Sequence, residues 1–193
     1  MIVVFVFLML VLGCQPPGGD LLPVQSEGVV LETSRFENDT TRFNVNGLTA
    51  KFYGNFDDNY INLRVAVKND SSERVELYFK NFTLENLNKE KGNLVLVSKT
   101  NLETGQTENI YDGKNTNWQN PDVKAGEKTY FTLGISAGFA RVAVQDEKAA
   151  TFRVALPLKF NDKRQPPVEL TTNFRLVDER ADSRNFSSLE WQD

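Results

Sequence analysis

The chain contains no histidine. That absence removes Ser-His-Asp and Cys-His catalysis, His-ligated zinc and imidazole-based pH switching. It has a single cysteine, Cys14, so no disulfide forms within the chain and the fold rests on its core alone. There is no apolar run of the roughly 20 residues that a membrane-crossing helix needs; residues 2–13 form the longest. Basic residues are not in excess: Lys and Arg number 22 against 26 Asp and Glu, a net charge of −4. Nucleic acid, which selects a clustered basic surface, is therefore excluded as a partner, and nothing here favours anionic lipid heads. Helical periodicity longer than a turn or two is missing, and so is any repeat of about 20–50 residues.

What is present is the composition of a globular protein, 40% hydrophobic and 25% charged, with fourteen phenylalanines to build a core. The dominant pattern is period two. Ile61, Leu63, Val65 and Val67 alternate with Asn62, Arg64, Ala66 and Lys68, the signature of a strand with one buried face. Phe152, Val154, Leu156, Leu158 and Phe160 repeat it, with Pro157 marking an edge or a bulge. Val168 to Leu176 and Lys128 to Ile135 are further strands. Asn46-Gly47 joins 41–46 to Leu48, Ala50, Phe52 and Phe56 as a hairpin. Val75, Leu77 and Phe79 run in phase, but Phe82 and Leu84 do not, which predicts a bulge or bend at Lys80-Asn81. Glu85 to Lys91 is read as a helical turn, and Leu94 to Val97, apolar throughout, as a strand covered on both faces. Gln106 to Tyr111 is expected to pair back on 93–100. Eight to ten short strands predict an all-β fold, an antiparallel immunoglobulin-like β-sandwich.

Residues 2–13 lack charge and end in Gly13-Cys14, matching the apolar part of an export signal, although no Lys or Arg precedes it. Val11-Leu12-Gly13-Cys14 resembles the lipobox of bacterial lipoproteins. The resemblance implies a diacylglycerol on the Cys14 thiol, and Gln15 after it resembles an outer-membrane address. The domain reading is a signal peptide at 1–13, a flexible tether at 14–27, a β-sandwich at 28–177 and a polar tail at 178–193.

Two stretches carry a second resemblance. Ile61 to Ser72 is a strand leading into an Asn-Asp-Ser-Ser turn, and Val123 to Leu133 is a Gly-Glu turn leading into a strand. Together they resemble the telokin-like, immunoglobulin-type domains of bacterial lipoproteins grouped as DUF4352, which implies a non-enzymatic role and carries over no active-site residue.

Candidate chemistry is sparse. Asp57, Asp58 and Asn59 offer oxygens but lack calcium-loop spacing, and a polar turn explains them better. The 26 acidic residues show no spacing that singles out a general acid and base. Four Asn-x-Ser/Thr sequons, at Asn38, Asn69, Asn81 and Asn185, are expected in so Asn-rich a chain. The excursion with Tyr111, Asn117 and Trp118 is the binding candidate, because a tryptophan flanked by amides suits a glycan platform or a protein hot spot; the competing reading makes Trp118 a plug over the sandwich end. The expectation is a non-enzymatic, lipid-anchored envelope protein without cofactor. It meets the membrane through diacylglycerol on Cys14 and presents a sandwich to an envelope protein or glycan. The alternatives are a carboxylate-based envelope hydrolase and a secreted β-sandwich without lipid.

Overall fold

Ile61, Leu63, Val65 and Val67 have no exposed surface, and their alternation lies at the centre of the structure. The computed structural model describes residues 18–24, 30–32, 40–57, 60–138, 147–161 and 166–177. Among these residues it has thirteen antiparallel strands: β1 Gly18–Val24, β2 Val30–Glu32, β3 Thr40–Val45, β4 Leu48–Asp57, β5 Tyr60–Asn69, β6 Val75–Leu77, β7 Thr83–Asn86, β8 Asn93–Asn101, β9 Thr107–Tyr111, β10 Asp122–Val123, β11 Lys128–Ser136, β12 Thr151–Phe160 and β13 Val168–Val177. One helical turn, α1 Glu147–Ala150, precedes β12. The fold class is all-β, as the alternation predicts.

Pairing runs β10-β6-β12-β13-β1-β4-β5-β11-β8-β9, with β2–β3 extending from β4 and β7 lying beside β12. Strand β1 is the corner. Its residues Gly18 to Asp20 pair with β4, and Asp20 to Val24 pair with β13. The β4–β5–β11–β8 layer thus faces the β12–β13 layer across one core. Ring contacts cross the gap, with Phe79 and Phe131 centroids 5.1 Å apart. So does a buried hydroxyl pair, Thr41 Oγ1 to Thr172 Oγ1 at 3.0 Å. Six phenylalanines, among them Phe52, Phe131, Phe152 and Phe174, lie fully inside. Burying such a side chain contributes about 1.5–3 kcal/mol, which substitutes here for disulfides.

Strand β1 corrects the tether expected at 14–27. Leu21 is 1% exposed and packs into the core, so residues 18–24 belong to the sandwich; Gly18-Gly19, Asp20 and Pro23 disguise a strand whose inward positions are Gly19 and Leu21. The hairpin at Asn46-Gly47 is as expected. Both residues have positive φ, 49° and 79°, as a type I′ turn requires.

The phase break after Phe79 is a 3-10 turn, Phe79–Asn81, between β6 and β7. Both strands pair with β12, through Leu77↔Leu158 and Leu84↔Val154. Pro157 falls in the gap between them, and its carbonyl accepts the Tyr78 N–H at 2.9 Å. A strand residue's N–H and C=O point the same way, so the missing proline donor faces the interrupted side, where no ladder bond is lost. Strand β12 is therefore internal, and the proline marks its broken neighbour.

Two further expectations are corrected. Residues 85–91 form the end of β7 and a tight turn rather than a helical turn, because buried Asn86 accepts the N–H groups of Asn88 and Glu90 at 3.0 and 2.9 Å. Leu94, Val95 and Leu96 are only half-buried, because β8 has the edge strand β9 as its outer neighbour and no layer over its outward face. The pairing of β9 on β8 is as expected. Residues 139–146 and the polar tail 178–193 lie outside the described residues.

Candidate functional site

The strands of the first layer end in two rows. At one end Gly18, Asp57, Tyr60, Ser136 and Asn93 pair successively across β1, β4, β5, β11 and β8. At the other end lie the turn at 46–47 and the loops 70–73, 102–106 and 124–127.

Asn69 organises that loop end. It is fully buried. Its Nδ2 donates to the carbonyls of Glu73 and Val123 at 2.7 and 3.1 Å, and its Oδ1 accepts the Ser71 N–H and Oγ–H at 3.1 and 2.6 Å. Its backbone bonds to Glu127 and Gly126, and Asp70 N–H donates to the Gly47 carbonyl. The Asn69 side chain thus ties its own turn to Val123, and the backbone of residues 69–70 adds the loops at 46–47 and 124–127, which is the physical content of the Asn-Asp-Ser-Ser turn. An amide so committed is no glycan acceptor, and the sequon at Asn69 is structural.

Beside it is a polar cavity of about 390 Å³ lined by Lys99, Asn101, Gln106, Thr107, Glu108 and Glu127. Lys99 Nζ donates to Glu127 Oε1 at 2.9 Å and to the Asp122 carbonyl at 2.7 Å, with only 14% and 12% of the two ion-paired side chains exposed. Glu127 Oε2 accepts the Lys124 N–H at 2.8 Å. Both ends of this pair are engaged within the protein, so it staples β8 to the β10–β11 turn. The sequence reading missed it, because the partners sit on different strands and carry no local signal.

Tyr111, Asn117 and Trp118 are brought to one place, yet not as a platform. Trp118 is 9% exposed and belongs to the core. Its ring stacks on Tyr111 with centroids 5.0 Å apart and 25° between planes, and Lys80 Nζ lies 5.5 Å from its centroid. Asn120 Oδ1 accepts the Lys80 N–H at 3.2 Å, and the Pro121 carbonyl accepts the Leu77 N–H at 3.0 Å, so the excursion is sewn to the 3-10 turn. Asp112 begins it by accepting the N–H groups of Lys114 and Asn115 at 3.0 and 3.2 Å. Those bonds, the one from Lys114 first, hold its carboxyl below the ordinary range. Asn117 is exposed, and its N–H donates to Asn115 Oδ1. Trp118 is the plug, and the exposed part of the excursion is amide and carboxylate.

On the opposite layer, Arg153 and Glu169 pair at 3.4 Å above a groove that also holds Glu85 and Asn173. Glu85 is itself paired with Lys89 at 3.1 Å. Among the described residues no group of three or more Cys, Asp or Glu side chains is placed to hold a metal ion. Asp57 is exposed at its strand end; Asp58, Asn59 and Cys14 lie outside the described residues.

No protein-family model matches the chain, and no curated protein matches it. Among solved structures it is similar to a family 123 glycoside hydrolase from Clostridium perfringens, the subject of a structural analysis of glycolipid glycan hydrolysis. The likeness covers 62% of this chain at 11% identity with a TM-score of 0.35, and it spans 21% of that protein's length.

Proposed function

We propose that this protein is a lipid-anchored, non-enzymatic module of the bacterial cell envelope, held through diacylglycerol on Cys14 and addressed to the outer membrane. The β-sandwich itself fits a structural or binding module. The observation that carries the anchor is the position of the single cysteine, at the end of the apolar run 2–13 and four residues ahead of the first strand. Two acyl chains on that thiol give a durable tether where one would be marginal. The partner is an envelope protein rather than a glycan: with Trp118 folded inward, no exposed indole is left on the excursion to stack on a sugar.

Cys14→Ser in the full chain is expected to abolish incorporation of a labelled fatty acid and to shift the protein from the membrane to the soluble fraction. Unchanged retention and labelling would refute the anchor. Cross-linking of the lipidated protein in its envelope should trap a protein partner; a hydrolytic activity in the purified chain would overturn the non-enzymatic reading.

A further inference from the structure

The distance between Cys14 and the fold restricts how the anchored domain stands. Strand β1 begins at Gly18, whose pairing with Asp57 fixes it in the sheet. Only residues 15–17 separate it from Cys14. Whatever their conformation, four Cα-to-Cα steps span at most about 14 Å. Strands β4 and β5 are each ten residues long, and at about 3.3 Å per residue they measure roughly 30 Å from end to end. The leash is thus about half the length of the body it holds.

Resting on the lipidation of Cys14, we propose that the sheet end carrying Gly18, Asp57, Tyr60, Ser136 and Asn93 lies against the lipid headgroup surface. The loops at 46–47, 70–73, 102–106 and 124–127 then point away as the partner-facing end. Inversion is excluded by length: with the loop end on the bilayer, Gly18 would stand roughly 30 Å above it, twice the reach of the leash. Tyr60 suits the near end. It is 51% exposed at the start of β5, and an exposed tyrosine is the side chain that settles at a headgroup interface, ring inward and hydroxyl wet. Asp57, exposed beside it, disfavours an anionic surface, so the fitting surface is zwitterionic and proximity comes from the anchor. The outward end is the one that Asn69 and the Lys99–Glu127 pair hold rigid, as a preorganised contact surface requires.

The test uses the full lipidated chain in phosphatidylcholine vesicles, with one added label site at Asn93→Cys or Thr104→Cys, both exposed positions at opposite ends. Each carries a fluorophore, and the vesicles carry a headgroup-region quencher. Quenching is expected to be severalfold stronger at position 93 than at 104. Inserting twenty Gly/Ser residues between Pro17 and Gly18 should bring the two together. Equal quenching on the short leash, or stronger quenching at 104, in a chain that floats with the vesicles and carries acyl mass on Cys14, overturns the orientation alone. A chain that neither floats nor carries acyl mass overturns the anchor and the orientation with it. Should Asn93→Cys fail to fold, Ser136→Cys reads the same end.

Discussion

Strands β5 and β12 are both ten residues long and both alternate cleanly, yet their neighbours treat them differently. Strand β5 is flanked along its whole length, by β4 from Asp57↔Tyr60 to Leu48↔Asn69 and by β11 from Ser136↔Tyr60 to Lys128↔Lys68. Strand β12 has β13 on one side, and on the other a neighbour broken into β6, a 3-10 turn and β7. Alternation reports that one face is buried. It does not report whether the ladder beside the strand is continuous. That information sits in Pro157, and in the phase slip between Phe79 and Leu84.

The largest expected effect breaks the continuous side. Gly54 in β4 lies against β5 so closely that an added Cβ would sit 2.4 Å from the Asn62 carbonyl oxygen and 2.9 Å from Leu21 Cδ1. The oxygen belongs to a strand fixed on both edges and cannot retreat. Gly54→Val is expected to remove the cooperative unfolding transition in urea altogether. A folded Gly54→Val protein would mean that the unbroken ladder is more pliable than its pairing implies.

Next comes the contact between the two regions. Phe131, in the continuous layer, meets Phe79, on the interrupted one. Each Phe→Ala replacement is expected to cost about 3–5 kcal/mol. The double mutant should fall short of additivity by about 0.5–1.5 kcal/mol, as for other aromatic pairs. Full additivity in urea midpoints would mean that the layers are coupled elsewhere.

Smaller still is Pro157→Ala. Because the proline nitrogen faces the interruption, the substitution restores a donor that has no ladder partner. It should change stability by less than about 1 kcal/mol, mostly by loosening the unfolded chain. Arg64→Pro, the matching insult to β5, removes a ladder donor from a strand paired on both edges and should cost clearly more. Equal losses from the two changes would erase the distinction between the strands.

The smallest effect is one of pH. Tyr53 projects from the continuous layer beside Arg64. Burial pushes its hydroxyl above the ordinary phenol range, outweighing the downward pull of the Arg64 charge and hydrogen bond. A raised folded value stabilises the protein below the unfolded phenol pKa of about 10, and that contribution fades as pH rises through the folded value. Urea midpoints should therefore fall in strongly alkaline buffer, and Tyr53→Phe should flatten the fall. An identical slope in both proteins would assign the alkaline loss to other groups.

How much of this was legible in the sequence follows from the range of each interaction. The inward faces of β4, β5, β12 and β13 and the Asn46-Gly47 turn are local patterns, and they read correctly. Strand β1 did not, because Gly18, Gly19, Asp20 and Pro23 have the composition of a linker, and only the pairing to β4 and β13 turns them into a strand. The apolar run at 94–97 misled in the opposite sense: it lies one strand in from the edge, where a layer on one side only leaves its leucines half open. The roles of Asn69, Lys99 and Glu127 depend on loops that meet only in the folded chain. Trp118 is intermediate: its residue type marked it for contact, and its partner proved to be Tyr111 of the same chain.

The corner strand has a mechanical consequence. A pull on the chain ahead of Gly18 enters the domain through β1, which is bonded to β4 in its first half and to β13 in its second. Along the strand axis such a force stretches those hydrogen bonds together, in shear, instead of peeling them one at a time. Load at the N-terminal end is therefore divided between both layers of the sandwich, and the first strand acts as a rivet.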